Sequence, residues 1–172
     1  REGEGKAGPS LLWVQAPGTP AVGEAFLDGY EATGDKVHLD AAVDAAHALV
    51  RGQLRTGGWD HHIETDPGKR LDYAYRDVPV RRGQANKSFL DDDISQSALR
   101  FLIRIDVLLE QKDKAVHDAV QYGLDAILRV QYPIGGWYMW WDPERPSRRA
   151  RSYPVIRASY PDTWPRTWPN AW

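Results

Sequence analysis

The stretch DKVHLDAAVDAAHALVRGQLRTGGW, Asp35–Trp59, is answered later in the chain by DKAVHDAVQYGLDAILRVQYPIGGW, Asp113–Trp137. Placing Asp35 on Asp113 aligns the two without a gap. Asp35-Lys36 falls on Asp113-Lys114, Asp40-Ala41 on Asp118-Ala119, and Ala48 on Ala126. Arg51 falls on Arg129, Gln53 on Gln131, and Gly57-Gly58-Trp59 on Gly135-Gly136-Trp137. Leu49 with Ile127 and Val50 with Leu128 keep the apolar character between these matches. A repeat of this length means one supersecondary unit used twice.

Each unit reads as a helical hairpin. In the first, Thr19 is placed to cap a helix, with Pro20 at its first position. Val22, Phe26, Leu27 and Tyr30 then recur at helical spacing until Gly34. Asp35 caps the partner helix, whose Leu39, Val43, Ala46 and Val50 share a face and which Gly57-Gly58 stop. In the second unit Ala98, Leu102, Ile105 and Leu109 mark one face, and Val120, Leu124, Ile127 and Leu128 the other. Helices are predicted over 20–33, 36–55, 95–110 and 114–131. The fold class is all-α: tandem hairpins of an (α/α) barrel or toroid, in one domain over residues 1–172, incomplete because two hairpins do not close a ring. A larger domain, or neighbouring copies, would complete it. Two long loops, from about Thr56 to Asp93 and onward from Tyr132, are rich in Trp, Tyr, Arg and Pro, which favours ordered, functional segments. A short hairpin between Trp59–Ile63 and Tyr73–Arg76 fits the alternation of His61 and Ile63, Tyr73 and Tyr75.

Composition narrows the function. The chain has 172 residues, 42% of them hydrophobic and 27% charged, which is globular material. A net charge of −2 gives no electrostatic reason to bind nucleic acid or an anionic membrane. No apolar run reaches the ~20 residues that span a bilayer. The N-terminal residues show no apolar core of a signal peptide. Cysteine is absent, which excludes disulfides, thiolate metal sites and a Cys nucleophile. Eight Trp and eight Tyr stand against three Phe. Rings with a polar handle suit surfaces that are packed on one side and wet on the other.

Four groupings could carry chemistry. Leu90-Asp91-Asp92-Asp93-Ile94-Ser95 puts three carboxylates where a helix begins. One of them suffices for a cap, worth ~1 kcal/mol; three repel one another unless a cation or Arg neutralises them, and an oxygen-only set suits Ca²⁺. The two Gly-Gly-Trp turns put Trp59 and Trp137 at equivalent places, either plugging the helical layers or offering an indole to a sugar ring. Trp164-Pro165-Arg166-Thr167-Trp168-Pro169 sets two indoles and a guanidinium on a stiff, extended backbone. It suits either an acidic polysaccharide or a packing loop. His61-His62 have no carboxylate at metal-ligand spacing, and His38 and His47 sit on the repeat, where structural roles are the default.

At two places these residues resemble the (α/α)-toroid pectate lyases. Leu90-Asp91-Asp92-Asp93-Ile94-Ser95-Gln96-Ser97 is similar to the family's Ile/Leu-Asp-Asn/Asp helix opening. Gln131-Tyr132-Pro133-Ile134-Gly135-Gly136-Trp137 is similar to its Gln-Tyr/Phe-Pro-x-Gly-Gly/Ala-Trp turn. The resemblance runs from about Pro17 onward. It implies Ca²⁺-assisted β-elimination of an acidic polysaccharide such as pectate, in a secreted or periplasmic protein. Asp91 falls on the family's cleft aspartate. The family's Thr-Phe-Asn-Asp segment and its catalytic Arg have no counterpart before Trp172, so Arg166 stands as a substitute base. The candidate site is therefore Asp91 and Arg166 for catalysis, Trp59, Trp137, Trp164, Arg166 and Trp168 for substrate, and Asp91, Asp92 and Asp93 for Ca²⁺. Two alternatives stand beside the enzyme: a non-catalytic glycan-binding protein, and a self-assembling scaffold in which copies of the chain complete the ring.

Overall fold

The computed structural model describes residues 8–132 and 135–143. In chain order they form strand β1 (Leu11–Trp13), helices α1 (Thr19–Thr33) and α2 (Lys36–Gly52), and strands β2 (His62–Glu64) and β3 (Ser88–Phe89). Helices α3 (Ile94–Leu108) and α4 (Lys114–Arg129) follow, then strand β4 (Trp140–Trp141). The protein is mostly helical with a few small strands, so the all-α expectation holds only in its coarse form. No described helix is long and apolar enough to cross a membrane.

The helix ends follow local chemistry. Asp35 accepts a hydrogen bond from Val37 N (3.0 Å), and Asp113 accepts from Ala115 N (3.0 Å) and Val116 N (3.1 Å). Each satisfies backbone donors that the first turn leaves without partners. Gly34, at φ 71°, turns the chain from α1 into α2 in the left-handed conformation that glycine adopts without strain. Two expected boundaries shift. Gly18 rather than Thr19 occupies the capping position of α1, with no side-chain cap. Helix α2 stops at Gly52, before the glycine pair, because Gln53 leaves helical geometry and Leu54 bridges to Tyr75.

The hairpins α1–α2 and α3–α4 lie side by side, α1 against α3 in one layer and α2 against α4 in the other. Between the layers Leu27, Ala42, Ala46, Leu49, Ala98, Phe101, Leu102, Ile105, Val116 and Ala119 are fully buried. A Cβ at Gly23 of α1 would fall 2.2 Å from the Phe101 ring of α3, so the glycine is what lets that ring sit against the helix. Ala98, Leu102 and Ile105 occupy the predicted face. The other three faces are rotated from expectation. Val22 is 50% exposed while Gly23 and Leu27 turn inward, and α2 buries Ala42, Ala46 and Leu49. On α4, Val116, Ala119, Val120, Gly123 and Ala126 face in, leaving Leu124 37% and Leu128 65% exposed. Periodicity identifies an apolar sector; the neighbour that reaches it decides which edge is covered.

The long loop is ordered and contains no hairpin of its own. Strand β2 pairs antiparallel with β1, Leu12 opposite Ile63, while Tyr75 bridges Leu54 and Tyr73 bridges Ala85. The predicted pairing of Trp59–Ile63 with Tyr73–Arg76 is thereby corrected: alternation marks a strand but not its partner. Tyr75 is fully buried and its hydroxyl accepts from Glu64 N (2.9 Å), which ties the loop to β2. Burial pushes its phenol pKa up.

Candidate functional site

The two Gly-Gly-Trp turns are built alike. Gln53 Nε2 donates to Gly57 O at 3.0 Å, and Gln131 Nε2 to Gly135 O at 3.0 Å. Trp59 Nε1 donates to Leu49 O at 2.9 Å, and Trp137 Nε1 to Ile127 O at 2.9 Å. The indole N–H thus satisfies one of the free carbonyls at the helix end, and its ring folds back over the last turn. Their surroundings differ. Trp59 is 1% exposed and has no face to offer a ligand, so it takes the packing alternative, whereas Trp137 is 43% exposed.

Trp137 shares a cleft with the aspartates. Asp91–Asp93 form a single 3-10 turn ahead of α3, with Asp92 at φ 50° and Asp93 at φ 59°. Two successive non-glycine residues in the left-handed region cost roughly 1–3 kcal/mol each, a strain that aspartate tolerates better than most. No aspartate side chain caps α3, so the capping alternative does not account for the cluster. The turn is held from outside. Met139 O accepts from Leu90 N (2.7 Å) and Asp91 N (3.1 Å), and Gln96 Nε2 donates to Leu90 O (2.6 Å). Between the turn and the segment that follows Trp137 lies a cleft of about 740 Å³. The three aspartates, Leu90 and Gln96 line one wall, and Ile127, Trp137, Tyr138 and Met139 the other.

The three carboxylates do not converge. Asp92 Oδ2 accepts from Gln15 Nε2 at 2.6 Å, and Asp93 is paired with Arg100. Asp91 Oδ1 accepts from Asp92 N (3.1 Å), and Asp91 has no ion pair among the described residues. No group of three His, Asp or Glu among the described residues is arranged to hold a metal ion. Gln15 and Arg100 engage two of the three carboxylates the sequence offers to Ca²⁺, and Asp91 is the one without a partner side chain among the described residues.

His61 Nδ1 meets Asp60 Oδ1 at 2.9 Å and its ring packs edge-on to Phe89; His62 Nε2 meets Tyr73 OH at 3.2 Å. Both are tied into the loop. Trp164, Arg166 and Trp168 lie outside the described residues. Sequence reasoning passed over Gln96, whose Oε1 is enclosed without a partner, and Gln15, which reaches Asp92 from far along the chain. Gln96 stands one turn after Asp92-Asp93 and was legible as part of the same turn; nothing local marks Gln15. Comparison with known protein families, curated proteins and solved structures finds no match to this chain.

Proposed function

We propose that this chain handles an acidic polysaccharide such as pectate, on an (α/α)-toroid scaffold of the pectate lyase type, and that the glycan lies in the cleft between Asp91 and Trp137. The observation that carries the reading is the shared cleft: an open indole and a carboxylate without an ion pair among the described residues both line it. A flat indole suits the apolar face of a sugar ring, and the enclosed Gln96 Oε1 is an acceptor awaiting a donor such as a sugar hydroxyl. The layering of α1 with α3 and of α2 with α4 is what two neighbouring units of such a toroid would have. Polymers of this kind lie outside cells, so the proposal carries with it a secreted or periplasmic protein.

In β-elimination a base takes the C5 proton of a uronate. The electron pair becomes the C4–C5 double bond, the C4–O bond breaks, and the departing oxygen takes up a proton. The described lining of the cleft holds no Arg, Lys or His to act as that base. No step is routed through calcium. Arg166, the base suggested from the sequence, lies outside the described residues, and a described lining without a cation is equally what a second reading, glycan binding without cleavage, would have.

Two measurements on polygalacturonate test both readings: absorbance of unsaturated uronides with and without chelator, and calorimetric titration. Rising absorbance establishes the lyase. Heat of binding without absorbance, weakened by Asp91→Asn and by Trp137→Ala, establishes the binding protein. No heat with polygalacturonate overturns the proposal.

A further inference from the structure

Four arginines among the described residues are half-buried: Arg55, Arg70, Arg76 and Arg104. Arg70 pairs with Asp77, Arg76 with Asp118, and Arg104 with Glu24, Asp28 and Glu31. Arg55 has no carboxylate partner among the described residues; its guanidinium donates to Val78 O and to Gln84 Oε1 (3.1 Å). These neutral acceptors orient the fork and leave it without an ion pair among the described residues, in a place partly withdrawn from water where an anion would be favourable. Lys87 repeats the pattern. It is the one half-buried lysine among the described residues, and its Nζ sits 4.2 Å from the Trp140 ring centroid and 5.7 Å from that of Phe89. Rings stabilise an ammonium without neutralising it.

Both cations line the same groove, of about 700 Å³, together with exposed Arg81, Asn86 and Phe89. Asn86 Oδ1 is engaged by Thr56 N (3.2 Å), which leaves its amide NH₂ as a further donor. Asp60 and Asp142 also line the groove, and their charge works against a densely anionic ligand such as a phosphate chain. Asp60 Oδ1 is engaged by His61, and Asp60 Oδ2 can accept from a hydroxyl group. A guanidinium and an ammonium for a carboxylate, an amide donor, an acceptor for a hydroxyl and a ring for an apolar face together describe one chemical class, a uronate sugar.

We infer that this groove is a second glycan subsite, which binds the carboxylate of a uronate through Arg55 and Lys87. The inference rests on the acidic-polysaccharide reading above and adds a site to it. Strands β3 and β4 connect the two places: Phe89 pairs with Trp140, Lys87 and Asp142 lie beyond one end of the ribbon, and Leu90 and Met139 beyond the other. From Lys87 to Asp91 the chain, extended at Ser88–Phe89 and turning at Leu90, covers at most roughly 13 Å. One acidic oligosaccharide laid along the ribbon therefore reaches both.

The test is an amide-resolved NMR titration of the full chain, without calcium, using trigalacturonate, neutral galactotriose and sodium sulfate in parallel. Trigalacturonate is expected to shift amides of Gln84–Phe89 as well as those near Asp91 and Trp137, while the neutral trimer and sulfate leave Gln84–Phe89 unmoved. Lys87→Gln, whose own spectrum reports its folding, should weaken the groove shifts on the order of tenfold. Shifts confined to the Asp91–Trp137 cleft overturn the inference and leave the function standing. Shifts confined to the groove support the inference and overturn the placement of glycan in the cleft. Shifts in neither place overturn both, and equal shifts with sulfate reduce the groove to a general anion site and overturn the inference.

Discussion

The first and second Gly-Gly-Trp turns share their hydrogen bonds but not their neighbours. At the first, α4 closes in: a Cβ on Gly57 would lie 2.2 Å from Ala126 Cβ. Gln53 Nε2 reaches Ala119 O at 2.9 Å, and Tyr122 OH donates to Arg55 O at 2.6 Å. At the second, a Cβ on Gly135 would meet no described residue within 4 Å. The same sequence thus yields one turn that serves as core and one that serves as surface. Local chemistry sets the shape of the turn, and the helix lying across it sets the role.

The largest effect should separate the two indoles. Trp59→Ala removes a ring that is 1% exposed and should cost about 3–5 kcal/mol in urea unfolding. Trp137→Ala should cost less than about half of that, and its main effect should be on glycan binding. Equal losses would mean that the two turns are energetically alike and would break the comparison. The glycine pair comes next. Gly57 and Gly135 have φ of 100° and 90°, so alanine is strained at either by roughly 1–2 kcal/mol. Only at Gly57 must alanine also displace α4, and overpacking adds about 1–3 kcal/mol. The difference between the two variants reads the grip of α4 on the first turn.

The smallest effect concerns the caps. Burial works to raise the Asp113 carboxyl, but a hydrogen bond from His47 (2.6 Å) and the N–H groups of Val116 and Ala115 hold it below the ordinary aspartate value. Since the folded value is the lower one, its contribution is complete above the unfolded value of ~3.9 and fades as pH falls through the folded value. Asp113→Asn keeps the capping oxygen and loses the charge. It should cost up to about 1 kcal/mol at neutral pH, and progressively less below about pH 4. Unfolding midpoints across that range, with Asp35→Asn as the matched control, give the slope. A pH-independent difference would show that the charge contributes nothing.

The repeat, the four helices, the caps at Asp35 and Asp113 and the inward face of α3 were all legible in the sequence, because each depends on residues within a few positions of one another. The contrast between Trp59 and Trp137 was not, since both carry the same local signature and differ only in whether α4 lies across them. Leu124 and Leu128 fit an apolar stripe, yet they are exposed because the neighbours of α4 reach its opposite edge. Three consecutive aspartates stand out in the sequence, but the partners of two of them, Gln15 and Arg100, are reached through contacts that spacing does not encode. The pairing of β1 with β2 is of the same kind. Arg55 and Lys87 drew no notice as a cluster, being separated in sequence and joined only by the folded loop.

The double acceptor at Met139 has a consequence for how the cleft could be altered. Its carbonyl ties the aspartate turn to the aromatic segment through main-chain groups alone, Leu90 N and Asp91 N. A caliper clamped through its frame keeps its gap whatever tips are fitted to the jaws. Tyr138 and Met139 can in consequence be exchanged for other side chains while the spacing between the walls stays fixed, whereas Trp137 is also tied to Ile127 O through its indole. The lining of the cleft is separable from its width, so that, under the proposed function, preference among sugars would be retuned there without first rebuilding the scaffold.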